Sequence, residues 1–332
     1  MELRCFESPG KEWDEFAERH TDLIFYRSQW SKVLERGLGG EPLYFYLKEG
    51  GEIVAGLPGV LLRFGMLRIL YSSVPYGGLI GDRSSFLPSM ELLDREFMRR
   101  GIDQLRIVAS PFSESRLSPL FKQIVSRCTL LDLTGFDKDS IWKEYKKNIR
   151  RDVRKAQRSG VTLREASSKE EIKGFYQLFT ASMERNRAAA KYPFRWFEAI
   201  HEVIVKKGLG SILLAMVDQT AVAGAVFIYS PSATHYLHNG SRDEFLKFCP
   251  NELLIHSAIE KAIENRHSFF DFMGSDINDA ALLRFKEKWG GQSLDIHTSV
   301  KDYRPFRCKV WEFVKGLGNS RVGRRALKMM RR

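Results

Sequence analysis

One lysine of the sequence stands where a buried apolar side chain is expected. Residues 269–291, FFDFMGSDINDAALLRFKEKWGG, read as an apolar strand, a turn of small and acidic residues, and a short helix. In that helix Leu282, Phe285 and Trp289 share one face by their spacing, and Lys286 borders that face. Such a lysine either extends its ammonium to water along apolar surface or holds a cation at the edge of a cleft. In the second case the ammonium can bind a phosphate or stabilise an oxyanion.

The spacing of the titratable residues assigns no general base. Asp82 and Asp276 are candidates, but a turn explains the first, and the second can cap the following helix, with Asp279 in a capping-box-like position. No Cys/His or Ser/His pair can be argued from spacing. His235 and His238 are three residues apart in a strand-like run, which predicts opposite faces of the strand. We interpret them as ordinary strand residues and not as metal ligands.

Length, composition and cysteine spacing restrict the class of protein. The chain has 332 residues, 43% of them apolar, which is enough for two packed domains. Its four cysteines are far apart, so a disulfide framework and a zinc site are disfavoured and a reducing compartment fits best. The N-terminal residues are charged, and no apolar run suits a signal peptide or a membrane span. We expect a soluble, cytoplasmic protein without a metal.

Several sequence motifs of common enzyme classes are missing. The chain contains no GxxxxGK phosphate loop and no GxGxxG after a strand. It also lacks a Gly-x-Ser-x-Gly elbow and an HExxH pair. A nucleotide hydrolase, a dinucleotide oxidoreductase and a serine hydrolase are therefore disfavoured.

A strand–turn–strand pattern occurs in both halves of the chain. Residues 43–62 read as a hairpin, residues 211–229 repeat it, and both second strands contain Val-Ala-Gly. Each hairpin precedes a further strand, a helix and another strand. Mixed strands with interleaved helices predict an α/β (α+β) fold, and the matching hairpins suggest that it is duplicated, with a boundary near Asp137.

Positive charge is concentrated in two segments. Residues 143–164 contain nine Lys/Arg and two Asp/Glu, and residues 301–332 contain eleven and two, within a net charge of +12. The first segment is predicted to lie in one long helix, residues 137–161, whose basic face suits either solvent or a phosphate-bearing ligand. Its apolar stripe consists of Trp142, Tyr145, Ile149, Val153 and Ala156. The C-terminal segment suits nucleic acid, an anionic membrane surface or a frayed end.

Several segments, taken in order, resemble the Fem-type aminoacyltransferases. FDFMGSDINDAALLRFKEKWGG looks like that family's closing motif, with a strand ending in Asp-Phe, a Gly-Ser loop, Phe-Lys and an aromatic-Gly. WKEYKKNIRRDVRKAQRSGV resembles the first helix of its second domain, and FYQLFTASMERNR resembles its helix ending in arginine. SQWSKVL resembles its aromatic segment near the N-terminus. The resemblance covers most of the chain and is densest over residues 142–291.

The resemblance implies a fold and an activity. The fold is two tandem acetyltransferase-like (GNAT) domains with mixed sheets, flanking helices and a cleft between them. We assign residues 1–136 and 137–300 to the two domains and residues 301–332 to a basic extension. The implied activity is transfer of an aminoacyl group from aminoacyl-tRNA to an amine of a peptidoglycan precursor. No cofactor is implied beyond this donor. The charge of the basic extension, and not the resemblance, makes peripheral contact with the inner membrane face one of its alternatives.

The resemblance also implies site residues by position. Lys286 would stabilise the negative charge of the tetrahedral intermediate, and Phe285 would accompany it at the acceptor end of the donor. The residues matched to substrate binding are Arg185 and, as a close second, Arg187 for the acceptor phosphate, and Trp30 and Tyr76 for the acceptor cleft.

Departures from the family leave the donor open. The long helical hairpin of members that bridge peptidoglycan with glycine is missing, and LYSSVPYGGLIGD and LRFKEKWGG look more like an exopolysaccharide-associated branch. In that branch the donor could be an acyl-CoA, although no R-x-x-G-x-G run leads into a helix here. Two alternatives therefore remain. One is an acyl-CoA-dependent N-acyltransferase acting on an amino sugar, polysaccharide or lipid, and the other is a non-enzymatic protein that binds nucleic acid or membrane.

Overall fold

A computed structural model describes residues 2–6, 10–82, 84, 90–113, 121–186 and 192–318 of the protein. The helices are α1 (Lys11–His20), α2 (Ser28–Leu38), α3 (Met90–Arg99), α4 (Lys138–Glu144), α5 (Lys147–Arg158), α6 (Lys169–Arg185), α7 (Phe194–Val203), α8 (Pro250–Glu264), α9 (Ala280–Glu287) and α10 (Pro305–Gly318). The strands are β1 (Glu2–Phe6), β2 (Glu41–Pro42), β3 (Tyr44–Glu49), β4 (Glu52–Leu57), β5 (Val60–Phe64), β6 (Leu67–Tyr71), β7 (Ile80–Gly81), β8 (Gln104–Val108), β9 (Lys122–Asp132), β10 (Thr162–Glu165), β11 (Gly210–Val217), β12 (Thr220–Ser230), β13 (Ala233–Ser241), β14 (Phe269–Ser275) and β15 (Gln292–Asp302).

The strands form one small and one large sheet in the described part of the chain. The small sheet has the order β1-β3-β4-β7, and the large one has the order β10-β11-β12-β13-β14-β9-β15-β8-β6-β5-β2. Most neighbours in the large sheet are antiparallel, whereas β13 pairs with β14, and β6 with β8, in parallel. These mixed sheets with flanking helices confirm the predicted α/β class.

Strands from the two predicted domains alternate in the middle of the large sheet. β9 lies between β14 and β15, and β15 pairs on its other side with β8. The two halves of the chain therefore share one hydrogen-bonded sheet. The domain limits at residues 136 and 300 stay a prediction.

Helices cover both faces of the second half of the sheet. β12 directs Val226 and Ile228 toward a core shared with α2, α6 and α7. Its alternate residues Ala225 and Phe227 enter a core on the other face, shared with α5 and α8. This period of two is what a strand buried on both faces requires.

The predicted hairpins are confirmed, with one change. β3 pairs with β4, and β11 with β12. The strand predicted to continue to Leu62 instead ends at Leu57, and β5 begins at Val60 in the other sheet. Proline cannot donate a ladder hydrogen bond, so Pro58 suits this change of sheet.

The long basic helix predicted over residues 137–161 is two helices. Tyr145 and Lys146 have extended backbone between α4 and α5, with ψ of 139° and 148°. The Lys146 N–H donates to the carbonyl of Lys288 at 2.9 Å, so a tertiary hydrogen bond replaces an intrahelical one. The apolar stripe persists across the break, because Tyr145, Ile149 and Val153 are all buried.

None of the helices among the described residues combines the length and the apolar character that crossing a bilayer requires. Of the basic extension at residues 301–332, for which membrane contact is one alternative, residues 319–332 lie outside the described residues.

Candidate active site

Strands β13 and β14 separate at the candidate site. Their parallel ladder has three residue pairs and ends where His235 faces Asp271. Beyond this point β13 continues beside β12 as far as Ser241, and β14 continues beside β9 as far as Ser275. The strands therefore diverge toward their carboxyl ends, and the gap between them has α6 at one side and α9 at the other.

A bulge in β14 shapes one side of this gap. The pairing with β9 shifts between Asp271 and Gly274, and Met273 has a φ of 63°, which is rare for a residue with a side chain. The Met273 N–H donates to Asp271 Oδ1 at 2.7 Å. This bond fixes the turned peptide, and the Met273 carbonyl becomes an acceptor for α9.

Lys286 donates a hydrogen bond to this carbonyl. Its Nζ donates to the Met273 carbonyl at 2.8 Å and to Ser275 Oγ at 2.7 Å, and the residue is only 5% exposed. The alternative in which the ammonium extends to water is therefore wrong. Burial lowers the pKa of Lys286 to about 8, against the opposing effects of Cys128, Asp271 and Asp279. The ammonium form predominates at neutral pH.

The structure corrects the predicted face and cap of α9. Leu282 is 39% exposed, and the buried positions are Leu283, Lys286 and Trp289, with Phe285 half-buried. Asp279 is the N-cap and accepts from the Leu282 N–H at 3.0 Å. Asp276 instead accepts two bonds from Asn278 in the exposed turn before the helix.

Asp271 is the centre of a buried hydrogen-bond network. Its Oδ2 pairs with His235 Nδ1 at 2.9 Å, and its Oδ1 accepts from the Met273 N–H and from Cys128 Sγ at 3.0 Å. Tyr76 Oη lies 3.4 Å from the same oxygen. Burial, followed by the proximity of Asp271, raises the pKa of both Tyr76 and Cys128, so both remain protonated donors.

The network continues through His235 to the first half of the chain. His235 Nε2 lies 2.9 Å from Ser230 Oγ, which also accepts from the Ile24 N–H at 3.1 Å. Ser230, His235 and Asp271 are all buried, so this serine–histidine–aspartate chain is enclosed in protein. It connects the two halves beneath the gap between β13 and β14.

The prediction that His235 and His238 lie on opposite faces is wrong. The ladder between β12 and β13 shifts by one residue at Leu237, so that His235 faces Ile228 and His238 faces Val226. Residues directly opposite in a ladder share a face, and a one-residue bulge reverses the alternation. Both rings therefore enter the same core, where His238 Nε2 accepts from Trp196 Nε1 at 2.9 Å.

Arg185 lies at the other side of the gap. It is the last residue of α6 and donates from Nη1 to the Ser241 carbonyl at 2.9 Å. Its Nε lies 3.7 Å from Asp243 Oδ1, and its side chain is partly exposed. Arg187 lies outside the described residues. Arg185 and Lys286 therefore lie on different helices at the same edge of the sheet, Arg185 bonded to the end of β13 and Lys286 bonded to the end of β14.

Trp30 and Tyr76 are both buried beneath this edge. Trp30 Nε1 donates to the Val74 carbonyl at 2.6 Å, and its ring meets that of Phe25 edge-on. Phe25 in turn contacts Tyr76 and His235. Tyr76 reaches the neighbourhood of Lys286 through Asp271, whereas Trp30 supports it through Phe25. Neither side chain lines an open cleft in this conformation.

Sequence reasoning assigned no functional role to Asp271, His235, Ser230 or Cys128. Asp271 was visible as the Asp of the Asp-Phe motif and as the acidic residue in an otherwise apolar strand, FFDFM. An ionisable residue in a strand of this kind needs buried partners, and this was the available signal. Within the described residues, no group of three or more His, Cys, Asp or Glu side chains could hold a metal ion.

Comparisons with known proteins agree with this architecture. Residues 143–287 match the family model described as the acetyltransferase (GNAT) domain. A crystal structure of FemX is 15% identical, with a TM-score of 0.68, over 92% of this chain and 99% of that one. A tandem GNAT protein from the clavulanic acid biosynthesis pathway is 10% identical, with a TM-score of 0.59, over 90% and 97%.

A third solved structure, L-PGS from Bacillus licheniformis, is 11% identical, with a TM-score of 0.58, over 90% of this chain and 93% of that one. No curated protein matches the sequence. At these identities the solved structures share the fold, which is the predicted tandem GNAT arrangement. The segment that matches the family model includes Arg185, Asp271 and Lys286.

Proposed function

We propose that the chain, whose residues 143–287 match the acetyltransferase (GNAT) domain, transfers an aminoacyl group from aminoacyl-tRNA to an amine of a cell-envelope precursor. The Fem-type resemblance of the site motifs supports this donor and acceptor. An acyl-CoA donor is the second candidate, favoured by the match of residues 143–287 to an acetyltransferase model. The non-enzymatic alternative is set aside, because a GNAT acyltransferase domain is present.

The proposal rests mainly on the N–H groups of the Lys286 ammonium. An ammonium has three N–H donors, and two of them are directed to Met273 and Ser275. Within the described residues no acceptor is bonded to the third. A cation held by two bonds in a buried site is preorganised, and its remaining N–H can bind an oxyanion that develops at the edge of the gap.

The proposed reaction needs no covalent enzyme intermediate. The acceptor amine attacks the ester carbonyl of the donor, and the carbonyl oxygen becomes an oxyanion that Lys286 stabilises. The ester C–O bond then breaks, the amide forms, and the ribose hydroxyl leaves with a proton that the amine lost. Arg185, partly exposed at the opposite side of the gap and held by Ser182, Ser241 and Asp243, is the candidate for binding the acceptor phosphate.

The segment before α8 favours the tRNA donor over acyl-CoA. In acetyltransferases a glycine-rich loop leads into a helix and holds the pyrophosphate at its N-terminus. Here the residues between β13 and α8 include Asp243 and Glu244, and Glu252 lies in the first turn of α8. These three acidic residues would oppose the negative charge of a pyrophosphate at this helix start. A helix start of this composition is a poor pyrophosphate site.

The test is consumption of the donor ester. Purified protein is incubated with charged tRNAs or with acyl-CoAs, in the presence of amine-bearing envelope precursors, and the remaining donor is measured by mass spectrometry. The variants are Lys286→Met, which keeps the volume of the side chain, and Lys173→Met, which removes an exposed lysine on α6. We expect wild type and Lys173→Met to consume charged tRNA and Lys286→Met not to consume it. Consumption of an acyl-CoA alone would replace the proposal with the second candidate.

A further inference from the structure

The outer face of α5 is a row of cations. Six of its twelve residues are basic, and Asp152 is its one acidic residue. The basic residues are Lys147, Arg150, Arg151, Arg154, Lys155 and Arg158. The apolar residues Ile149, Val153 and Ala156 are buried against α8, so the cations occupy the side that faces solvent. Among the described residues Lys147, Lys155 and Arg158 have no ion-pair partner.

Folding alone does not account for this row. Cations three and four residues apart on a helix repel one another, and Lys147 lies at the N-terminus, where the helix dipole already disfavours positive charge. Trp142 accepts a cation–π contact from Arg154, and Asp152 pairs with Arg151, which leaves most of the charge uncompensated. The dipole favours cations in the last turn, at Lys155 and Arg158, but not at Lys147, and the like charges along the row repel one another. Such a concentration of positive charge on one face indicates a polyanionic ligand.

The row begins beside the helix that carries Lys286. The Lys146 N–H donates to the Lys288 carbonyl at 2.9 Å, and the rings of Tyr145 and Trp289 meet edge-on at 5.0 Å. Lys288 and Arg284, on the exposed side of α9, extend the positive surface toward the candidate site. A ligand bound along α5 therefore has one end close to the helix of the buried ammonium.

We infer that the outer face of α5 binds the phosphate backbone of the donor RNA next to its aminoacylated end, an inference that rests on the proposed function. The helix is roughly 18 Å long, and its cations recur about every turn, roughly 5 Å apart. This interval is comparable to the separation of successive phosphates along a nucleic-acid strand. The row thus matches several consecutive phosphates, and it positions the strand end near Lys286.

An anionic membrane is a poorer fit to this face. A helix that lies in a membrane interface buries an apolar face in the lipid. The apolar face of α5 is already occupied by the core around Leu254 and Ile259 of α8. Only charged and polar side chains remain outward, and such a surface suits phosphates that are reached through water-exposed cations.

The experiment measures RNA binding separately from turnover. Deacylated total tRNA is titrated against wild type, an α5 variant and a control variant at several salt concentrations. The α5 variant carries Lys147→Gln, Arg151→Gln, Lys155→Gln and Arg158→Gln. The control variant carries Lys32→Gln, Arg36→Gln, Lys173→Gln and Lys207→Gln, which are exposed cations of α2, α6 and the turn after α7. Circular dichroism and the thermal midpoint check that both variants are folded.

We expect the α5 variant to bind tRNA at least about tenfold more weakly, and the slope of log K against log salt to become about three units shallower. The control variant should bind as wild type does. Equal loss in both variants, or no loss in the α5 variant, overturns the inference. If wild type binds tRNA through α5 but consumes only acyl-CoA, the RNA surface stands and the proposed donor fails.

Discussion

The two halves of the molecule contain the same hairpin in nearly the same detail. Both turns use two central residues with positive φ, Gly50–Gly51 in the first half and Asp218–Gln219 in the second. Both hairpins have a bulge in the second strand, where Val54 and Val222 are the residues without a ladder partner. Positive φ at both turn positions gives the backbone twist that matches paired strands. The repeated plan is thus a requirement of the scaffold.

The glycine of each Val-Ala-Gly has the same structural reason. A Cβ on Gly56 would lie 2.5 Å from the ring of Trp13 in α1, and one on Gly224 would lie 2.7 Å from the ring of Phe175 in α6. In both halves an aromatic side chain from a preceding helix packs against the strand at this glycine. This contact requires glycine at the third position of Val-Ala-Gly in both hairpins.

The halves differ at their parallel ladders. β6 and β8 are paired at three positions, as β13 and β14 are, and the third pair is Tyr71 with Arg106 where the second half has His235 with Asp271. In the first half Ser72 and Gly77 continue the hydrogen bonding to β8, through the carbonyls of Arg106 and Val108. The first ladder is therefore closed by its own chain, whereas β13 and β14 diverge. The same arrangement of strands therefore gives a closed ladder in the first half, and in the second half a gap with the Lys286 ammonium at one side.

The largest expected effect comes from removing the cation at the open ladder. Lys286→Met should lower kcat by roughly 10²–10³-fold, because a buried oxyanion donor is lost. Arg106→Gln, at the closed ladder, should change kcat by less than about twofold. Steady-state kinetics on folded protein measure both. Equal losses would mean that the two ladders do not differ in function.

Replacing the acid beneath the open ladder should cost stability. Asp271→Asn puts an amide donor among groups that already donate, and we expect the free energy of unfolding to fall by about 2–4 kcal/mol. Arg106→Gln removes a partly exposed cation, and less than about 1 kcal/mol is expected. Urea titration followed by circular dichroism gives both values. If Asp271→Asn left the free energy of unfolding unchanged, the network would not be what holds the Met273 bulge.

The pKa of Lys286 predicts two opposite pH dependences. The ammonium is the active form, so kcat should fall as pH rises through about 8, by about tenfold per unit above it. Lys286→Arg should lose this falling limb, because arginine stays protonated. If kcat of Lys286→Arg still fell above about pH 8, the fall would belong to another titrating group.

Stability should move in the other direction. The folded-state pKa of Lys286 lies below its unfolded value, so the unfolded chain holds the extra proton between about pH 8 and 10.5. The free energy of unfolding should therefore rise with pH in this window, relative to Lys286→Met. Parallel urea titrations of the two proteins isolate this contribution. Parallel curves at all pH values would contradict the lowered pKa.

The smallest effect tests the shared scaffold. Gly56→Ala and Gly224→Ala should each destabilise the fold by about 1–3 kcal/mol, because the added methyl overlaps an aromatic ring. The two losses should agree to within about 1 kcal/mol if the hairpins are equivalent. Thermal unfolding of the single variants and of the double variant measures them. A loss at only one glycine would limit the equivalence to backbone geometry.

Sequence patterns placed Lys286 beside the buried face of its helix. They drew that face through Leu282, one residue before the buried Leu283. The pattern treats lysine as polar, so the apolar stripe was drawn through Leu282, whereas Leu283 and Lys286 share the buried face. The same limit applies to His235 and His238, whose faces follow from a bulge that no spacing rule reports. A single inserted residue reverses every side chain beyond it.

The sequence by itself determined the elements of this protein: the two hairpins, the stripe of the basic helix, and the strand and helix around Lys286. These depend on periodicity, turn residues and breakers, which act over a few neighbouring positions. Only the tertiary structure decided that Tyr76, Cys128, His235 and Asp271 meet, and that one parallel ladder is closed and the other open. Those outcomes depend on hydrogen bonds between distant segments, and such bonds exist only once the shared sheet has formed.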